Sequence, residues 1–289
     1  MRDRPRIKDH EARVTTACLL AAGTGSRLSP LTDSIPKCLT EINGRPILGR
    51  LVTSLRQQGF KRLVVVVGHL ESRIREFLDA HAGDLLVEYV RNPIYKTTNN
   101  IYSLWLAGSK IQESFLLVES DLVFDACQLE GLLIPNRIAV SRLLPWMNGT
   151  TITMDSSGHL DSFNQAPAAA HGLPAACEVP TTPASRRKSA YKTVNICSLS
   201  SVTWSRVLAR LEQAIADGRV GVYYEEVFAE MVAEGSLSFE CVLFDANRWY
   251  EVDRLEDVAA AERVARRMIP RRSEPLFPAL ISANGVHTP

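Results

Sequence analysis

Apolar positions in the first half of the chain fall into short β-branched runs separated by longer amphipathic stretches. Residues 14–20 form one such run, 61–67 a second, 85–90 a third and 114–118 a fourth, each of strand length and mostly apolar. Between them the apolar residues recur three and four apart. Ile47, Leu48, Leu51, Val52 and Leu55 predict a helix over 46–58, and further helices are predicted over 71–81 and 101–107. Strands alternating with helices predict an α/β fold, a doubly wound and mostly parallel sheet with its ligand site at the carboxyl ends of the strands. Past Asp125 strands follow one another at 137–143, 150–154, 159–164 and 191–199, with Asp155-Ser156-Ser157-Gly158 as a tight turn, and these predict a smaller mixed β lobe. Helices over 204–216, 223–233 and 255–268 and a late strand over 238–245 complete the pattern. Residues 165–189, rich in Ala, Pro, Ser and Thr and without periodicity, read as a long flexible loop, in which Arg186-Arg187-Lys188 is expected as a solvated basic tip, with closure over anionic substrates as the alternative. The expected organisation is an N-terminal extension (1–13), one domain (14–268) and a proline-rich linker or tail (269–289), such as would lead into a further catalytic domain.

Composition narrows the class. The net charge is +1 with 22% charged residues, so no electrostatic argument exists for nucleic-acid binding. No apolar run reaches membrane-spanning length, and the polar N-terminus has no signal core. Cysteines 18, 38, 127, 177, 197 and 241 contain no C-x-x-C pair, and several lie in apolar strands, as buried thiols of a cytoplasmic protein would.

Candidate chemistry begins where the first strand ends. Leu20-Ala21-Ala22-Gly23-Thr24-Gly25-Ser26-Arg27 is a turn of small residues whose backbone N–H groups can approach a phosphate, and Lys37 follows after Pro36. Arg27 offers a planar fork to phosphate oxygens and Lys37 a point charge. A dinucleotide fingerprint needs a small residue where Leu28 stands, and a Walker loop needs Lys-Ser or Lys-Thr after its last glycine, so neither applies. Two carboxylates stand at predicted strand ends: Asp121 after 115–118, and Asp253 after Trp249-Tyr250-Glu251-Val252, just before a helix. Both suit a magnesium ion held by carboxylates and phosphate oxygens, although Asp253 also fits a helix N-cap. Glu119 and Glu251 are open between a supporting role and simple solvation.

The segment from Gly23 to Leu39 resembles the signature of the sugar-nucleotide type of nucleotidyltransferase, G-x-G-[ST]-R-x-x-P-x-T followed by P-K-x-L, at Gly23, Gly25, Ser26, Arg27, Pro30, Thr32, Pro36, Lys37 and Leu39. Asn92-Pro93 with Tyr95, then Thr98-Asn99-Asn100-Ile101-Tyr102-Ser103-Leu104, is similar to the cytidylyltransferases acting on phosphocholine and on small phosphonates. Glu119-Ser120-Asp121-Leu122, Lys192-Thr193-Val194-Asn195-Ile196 and the segment 249–253 look like later motifs of the same group. The lysine motif and the tail resemble the cytidylyltransferase domain fused to phosphoenolpyruvate mutase in fosfomycin biosynthesis. The resemblance implies a Rossmann-like nucleotidyltransferase fold and CTP as nucleotide. It also implies Mg²⁺ on Asp121 and Asp253, triphosphate contacts from Arg27 and Lys37, and nucleotide contacts from Leu20, Ala21, Ala22, Gly23, Gly25, Asn100 and Ser103. Lys192 and Asn195 would meet the acceptor's anionic end, and Glu226, with its neighbour Glu225, would pair with an ammonium. Tyr102, Trp105, Tyr223, Tyr224, Trp249 and Tyr250 are candidates for an aromatic cage around a quaternary ammonium.

The expected reaction is CMP transfer from CTP to a small phosphonate, with 2-hydroxyethylphosphonate favoured over 2-aminoethylphosphonate. Choline-phosphate cytidylyltransferase, hexose-1-phosphate nucleotidyltransferase and a nucleotide-sensing domain without turnover are the competing expectations.

Overall fold

The computed structural model describes residues 13–145, 147–164 and 190–268. Residues 1–12 of the expected extension, the 165–189 loop with its basic tip, and the 269–289 tail lie outside the described residues. In chain order the strands are β1 (Thr16–Ala21), β2 (Glu41–Ile42), β3 (Arg45–Pro46), β4 (Arg62–Val67), β5 (Leu86–Arg91), β6 (Phe115–Glu119) and β7 (Leu122–Phe124). They continue with β8 (Arg137–Arg142), β9 (Thr151–Met154), β10 (Leu160–Asn164), β11 (Ala190–Leu199), β12 (Glu240–Phe244) and β13 (Trp249–Glu251). The helices are α1 (Ile47–Gln57), α2 (Glu71–His81), α3 (Asn100–Ala107), α4 (Ser201–Ala216), α5 (Tyr224–Ala233) and α6 (Leu255–Arg267).

β1 lies between β4 and β6, parallel to both, and β5 continues the parallel half beyond β4. β11 then runs antiparallel to β6 and opens the mixed half, where it also pairs with β8 and β9. The mostly parallel centre and the mixed β strands expected from the sequence are therefore both present, joined in one nine-stranded sheet.

The pleat sends alternate residues of each central strand to opposite faces, and each face has its own core. Leu19, Val65 and Leu116 pack with Leu51 and Leu55 of α1 and Phe77 of α2. Leu20, Val64 and Leu117 pack with Leu104 of α3, Trp204 of α4 and Phe228 of α5. The sheet is doubly wound because its strands are apolar on both sides.

One boundary moved for a local reason. α4 starts at Ser201, earlier than the periodicity shows, because the Ser200 hydroxyl accepts the Thr203 N–H at 3.1 Å while Val202 stays exposed and breaks the apolar pattern. β7 was not expected as a strand, being too short to show a period, and β13 was implied only by the placing of Asp253 at a strand end. They pair antiparallel beyond the carboxyl edge of the main sheet, with Glu251 opposite Leu122. α6 covers this ribbon through a third cluster that includes Leu28, Val123, Val252 and Ala261.

Trp204 ties α4 to β6: it is 1% exposed, meets Phe115 edge-on at 5.0 Å and donates its indole N–H to the Ile111 carbonyl at 3.0 Å. Trp204→Ala is expected to cost about 3–5 kcal/mol in urea unfolding. Val202→Ala, two residues earlier and exposed, is expected to stay within about 0.5 kcal/mol of the parent.

Candidate active site

β1 delivers the chain into the glycine loop. Gly25 sits at φ 64°, a conformation that suits glycine, and a Cβ there would come within 3.1 Å of the Lys37 side chain. The Thr32 hydroxyl donates to the Gly25 carbonyl at 2.8 Å and closes the loop back on itself. This fold-back sets Arg27 and Lys37 on one side, above the ends of β1 and β6.

The acidic partners arrive from two distant segments. β6 ends at Glu119, and Asp121 follows, its carbonyl accepting the Val252 N–H at 2.9 Å as the β7–β13 ribbon begins. In that extended segment Val252 is fully buried against α6 while Glu251 and Asp253, two residues apart, share the other side. One oxygen from each of Asp121, Glu251 and Asp253 lies within 4.8 Å of the others. The Lys37 ammonium bridges Asp121 Oδ2 at 2.7 Å and Asp253 Oδ1 at 2.8 Å, and Arg27 forks onto both Asp253 oxygens at 2.9 and 3.1 Å. Lys192, 2% exposed, reaches Glu251 at 3.3 Å and donates to the Thr193 carbonyl at 2.8 Å. Asp253 is not the helix cap that its position allowed: Asp257 accepts the N–H groups of Asp253 and Arg254, at 2.9 and 2.6 Å, and leaves the Asp253 carboxylate to the cleft.

Charge compensation explains the protonation of this end. Burial by itself would lower the Lys37 ammonium, but the carboxylates of Asp121 and Asp253 reverse that and hold it above the usual lysine range. Burial likewise opposes ionisation of Asp253, and Lys37 and then Arg27 overcome it and hold the carboxyl below its ordinary value. Glu251 is raised, burial being the main cause, with Lys192 opposing and the neighbouring aspartates adding to it.

The opposite wall is built by α3, α5 and the end of β6. Asn99 caps α3, its side chain accepting the Asn100 N–H at 2.8 Å, which frees the Asn100 side chain to face inward. Its carbonyl accepts the Tyr224 N–H at 2.9 Å, and its NH₂ serves two carboxyls, Glu119 at 3.1 Å and Glu225 at 3.4 Å. Burial, then Glu225 and Asp121, push the Glu119 carboxyl far above the usual range. Burial pushes Glu225 up to about 7, against its own N–H and Asn100. Asn92, 1% exposed, donates to Ser103 at 3.1 Å and Thr98 at 3.2 Å and pins the loop that leads into α3. Asn195 takes φ 59° where the register of β11 against β8 breaks, between Thr193 and Cys197. The bulge aims its side chain at Glu251, 3.3 Å away, braced by the Thr193 hydroxyl at 2.9 Å.

Together these walls enclose a cleft of about 290 Å³. Of the residues expected at a site, Leu20, Ala22, Gly23, Gly25, Arg27 and Lys37 line it, as do Asn100, Ser103, Asp121, Asn195 and Asp253. Ala21 stays within β1 and is not part of the lining. Lys192 is neither exposed nor on the lining; it stands behind Glu251. Glu226 is displaced from the cleft: one residue on a helix is about 100° of rotation, which turns Glu225 inward and leaves Glu226 3.9 Å from Arg219. Five of the six cage candidates are used elsewhere. Tyr102 packs on Trp105 at 5.2 Å, Tyr224 on Phe228 at 5.0 Å, Trp249 lies in the core, and Tyr250 bonds Asp257, so only Tyr223 reaches the cleft. Glu251 as a third carboxylate was not assigned from the sequence, and of the Glu225-Glu226 pair the sequence singled out Glu226 where the cleft takes Glu225. The first had a signal in the Glu-Val-Asp alternation, whereas the second needed the rotation of α5.

Residues 17–134 match the MobA-like NTP transferase domain. The chain is 32% identical over 256 residues, 85% of its length, to a CMP-5'-(3-aminopropyl)phosphonate synthase of Streptomyces rubellomurinus, of which it covers 38%. It is 34% identical over 118 residues, 40% of its length, to a 2-aminoethylphosphonate cytidylyltransferase of Lancefieldella rimae, of which it covers 47%. The chain thus spans less than half the length of these relatives. The CTP:phosphocholine cytidylyltransferase of Streptococcus pneumoniae shares the fold, with a TM-score of 0.69 and 19% identity over 87% of this chain and 99% of that one. The likeness to nucleotidyltransferases, and within them to the phosphocholine and phosphonate cytidylyltransferase branch, is borne out. Among the described residues no helix is long and apolar enough to cross a membrane.

The raised Glu225 carboxyl predicts a pH dependence. The folded protein keeps this proton up to about pH 7 whereas the unfolded chain loses it near 4.5, so stability falls as pH rises between the two values and levels off above. Glu225→Gln removes the penalty. The variant is expected to gain stability over the parent in urea unfolding at pH 8, and to differ little from it at pH 4.

Proposed function

We propose that this chain transfers CMP from CTP to a small phosphonate and releases pyrophosphate, with Mg²⁺ as cofactor. The observation that carries the proposal is the convergence of the glycine loop's Arg27 and Lys37 with the Asp121, Glu251 and Asp253 carboxylates in one cleft at the strand ends. An oxygen of the phosphonate attacks the α-phosphorus of CTP, a new P–O–P anhydride bond forms, and the bond from the α-phosphorus to the oxygen bridging toward the β-phosphorus breaks. The acceptor is already ionised near neutral pH, so no general base is needed, and rate enhancement comes from alignment and charge neutralisation. Arg27 and Lys37 would take triphosphate oxygens and the charge that develops as pyrophosphate leaves.

The donor set fits Mg²⁺. It is all oxygen, as a hard cation requires, and Asp121 Oδ1 is buried with no hydrogen-bond partner, a vacant acceptor facing two further carboxylates. Asp121, Glu251 and Asp253 would hold the ion, which when bound neutralises phosphate oxygens. Asn195 and Lys192 would orient Glu251 from behind.

For the acceptor, the cleft moves the preference from 2-hydroxyethylphosphonate to an aminoalkyl phosphonate. Glu119 and Glu225 line one end as two buried carboxyls sharing the NH₂ of Asn100, while the described cations nearby are engaged elsewhere, Lys37 with Asp121 and Asp253, and Lys192 with Glu251. An incoming ammonium would favour ionisation of this pair and serve as its countercharge; a hydroxyl would not. Two relatives named for aminopropyl- and aminoethyl-phosphonates support the same reading. Five of the six aromatic candidates for a cage around phosphocholine are packed elsewhere, which counts against that acceptor.

Asp121→Asn is expected to lower kcat by roughly a hundredfold or more with the fold intact, and chelation to abolish turnover in the parent. Near-normal turnover in either test would remove the metal assignment. With 2-aminoethylphosphonate, 3-aminopropylphosphonate, 2-hydroxyethylphosphonate and phosphocholine competing for limiting CTP, the amines are expected to dominate the products separated by mass. Glu225→Gln is expected to cost the amines about 10–100-fold in kcat/KM and the hydroxyl acceptor far less.

A further inference from the structure

Lys37 stands where a cation bound to the carboxylate cluster would stand. Its ammonium touches one oxygen of Asp121 and one of Asp253 at hydrogen-bond distance, and Arg27 holds Asp253 from the outer side with both of its terminal nitrogens. Lys192 compensates Glu251 from behind. Three cations thus face three carboxylates, and the cluster is neutralised by the protein's own side chains.

We infer that Lys37 has two roles, as an internal cation that closes the carboxylate cluster in the empty cleft and as a phosphate ligand once nucleotide is bound, so that a divalent cation binds well only together with the triphosphate. This rests on the reading of the cluster as a divalent-cation site. A divalent ion entering alone must displace an ammonium from two of its three carboxylates and leave that ammonium beside it, in a site where charges are poorly screened. A triphosphate changes the balance by giving Lys37 and Arg27 other anionic partners. Linkage makes the effect reciprocal: the nucleotide tightens the cation as much as the cation tightens the nucleotide. The device protects the site from non-productive loading, since the cation alone gains little and the nucleotide alone leaves the carboxylates uncompensated.

Mn²⁺ serves as the probe, read by water-proton relaxation enhancement, which separates protein-bound from nucleotide-bound ion. The parent is expected to bind Mn²⁺ weakly alone and strongly with CTP. Lys37→Met, which keeps the aliphatic stem, is expected to bind Mn²⁺ alone between about 5- and 150-fold more tightly than the parent. Its thermal unfolding should also be lower without the ion and raised more by Mn²⁺ than the parent's. Arg27→Met, at an exposed position, is expected to tighten Mn²⁺ by a smaller factor and serves as the deciding variant if Lys37→Met does not fold even with the ion. Mn²⁺ affinity unchanged or weakened in the folded variants would overturn the inference while leaving the proposed function standing. No protein-bound Mn²⁺ in the parent even with CTP would instead overturn the metal site itself, and the inference with it.

Discussion

Carboxylates cannot crowd together in a partly buried cleft unless cations stand between them. At an effective dielectric of about 20, two unit charges 4 Å apart interact by ~4 kcal/mol, so three acidic oxygens within 4.8 Å of one another would open the site if left uncompensated. Much of the local architecture answers that constraint. The glycine loop folds back to bring in Lys37 and Arg27, and β11 carries Lys192 beneath Glu251. The ribbon of β7 and β13 holds two of the carboxylates opposite the third. Buried ion pairs of this kind contribute little net stability, because desolvation offsets most of their attraction. Their concentration at the carboxyl edge of the sheet is therefore better explained by chemistry than by folding.

The two ends of the cleft are electrostatically different. At the glycine loop every carboxylate has a cation, and Asp253 is held ionised. At the α3–α5 wall two carboxyls share an amide, and burial holds both toward the protonated form. Asn100 holds the second end together. Helix capping by Asn99 fixes its backbone, and its side chain spans β6, α3 and the start of α5. A polyanion fits the first end, a small cation the second, and the distance between them is set by rigid strands rather than by loops.

What was legible in the sequence follows from the range of the forces involved. The alternation of strand and helix, the two-sided apolar strands, the glycine loop and the two strand-end aspartates were readable. Each depends on hydrophobic period or on the local chemistry of a few adjacent residues. The Glu-Val-Asp alternation held the third carboxylate in the same local code, since Val252 had to go inward and its neighbours outward.

Only the tertiary structure decided the rest. It showed that Lys192 is buried behind Glu251, that Asp257 rather than Asp253 caps α6, and that Glu225 rather than Glu226 faces Asn100. It also paired β7 with β13, strands too short to show a period, and so closed the 130-odd residues between Asp121 and Asp253 to hydrogen-bond distance of one lysine. The chain by itself determined which residues carry chemistry and which face of each element is apolar. Which charges compensate one another was left to packing, because a Coulomb interaction depends on separation in space and on local dielectric, and neither is encoded by separation along the sequence.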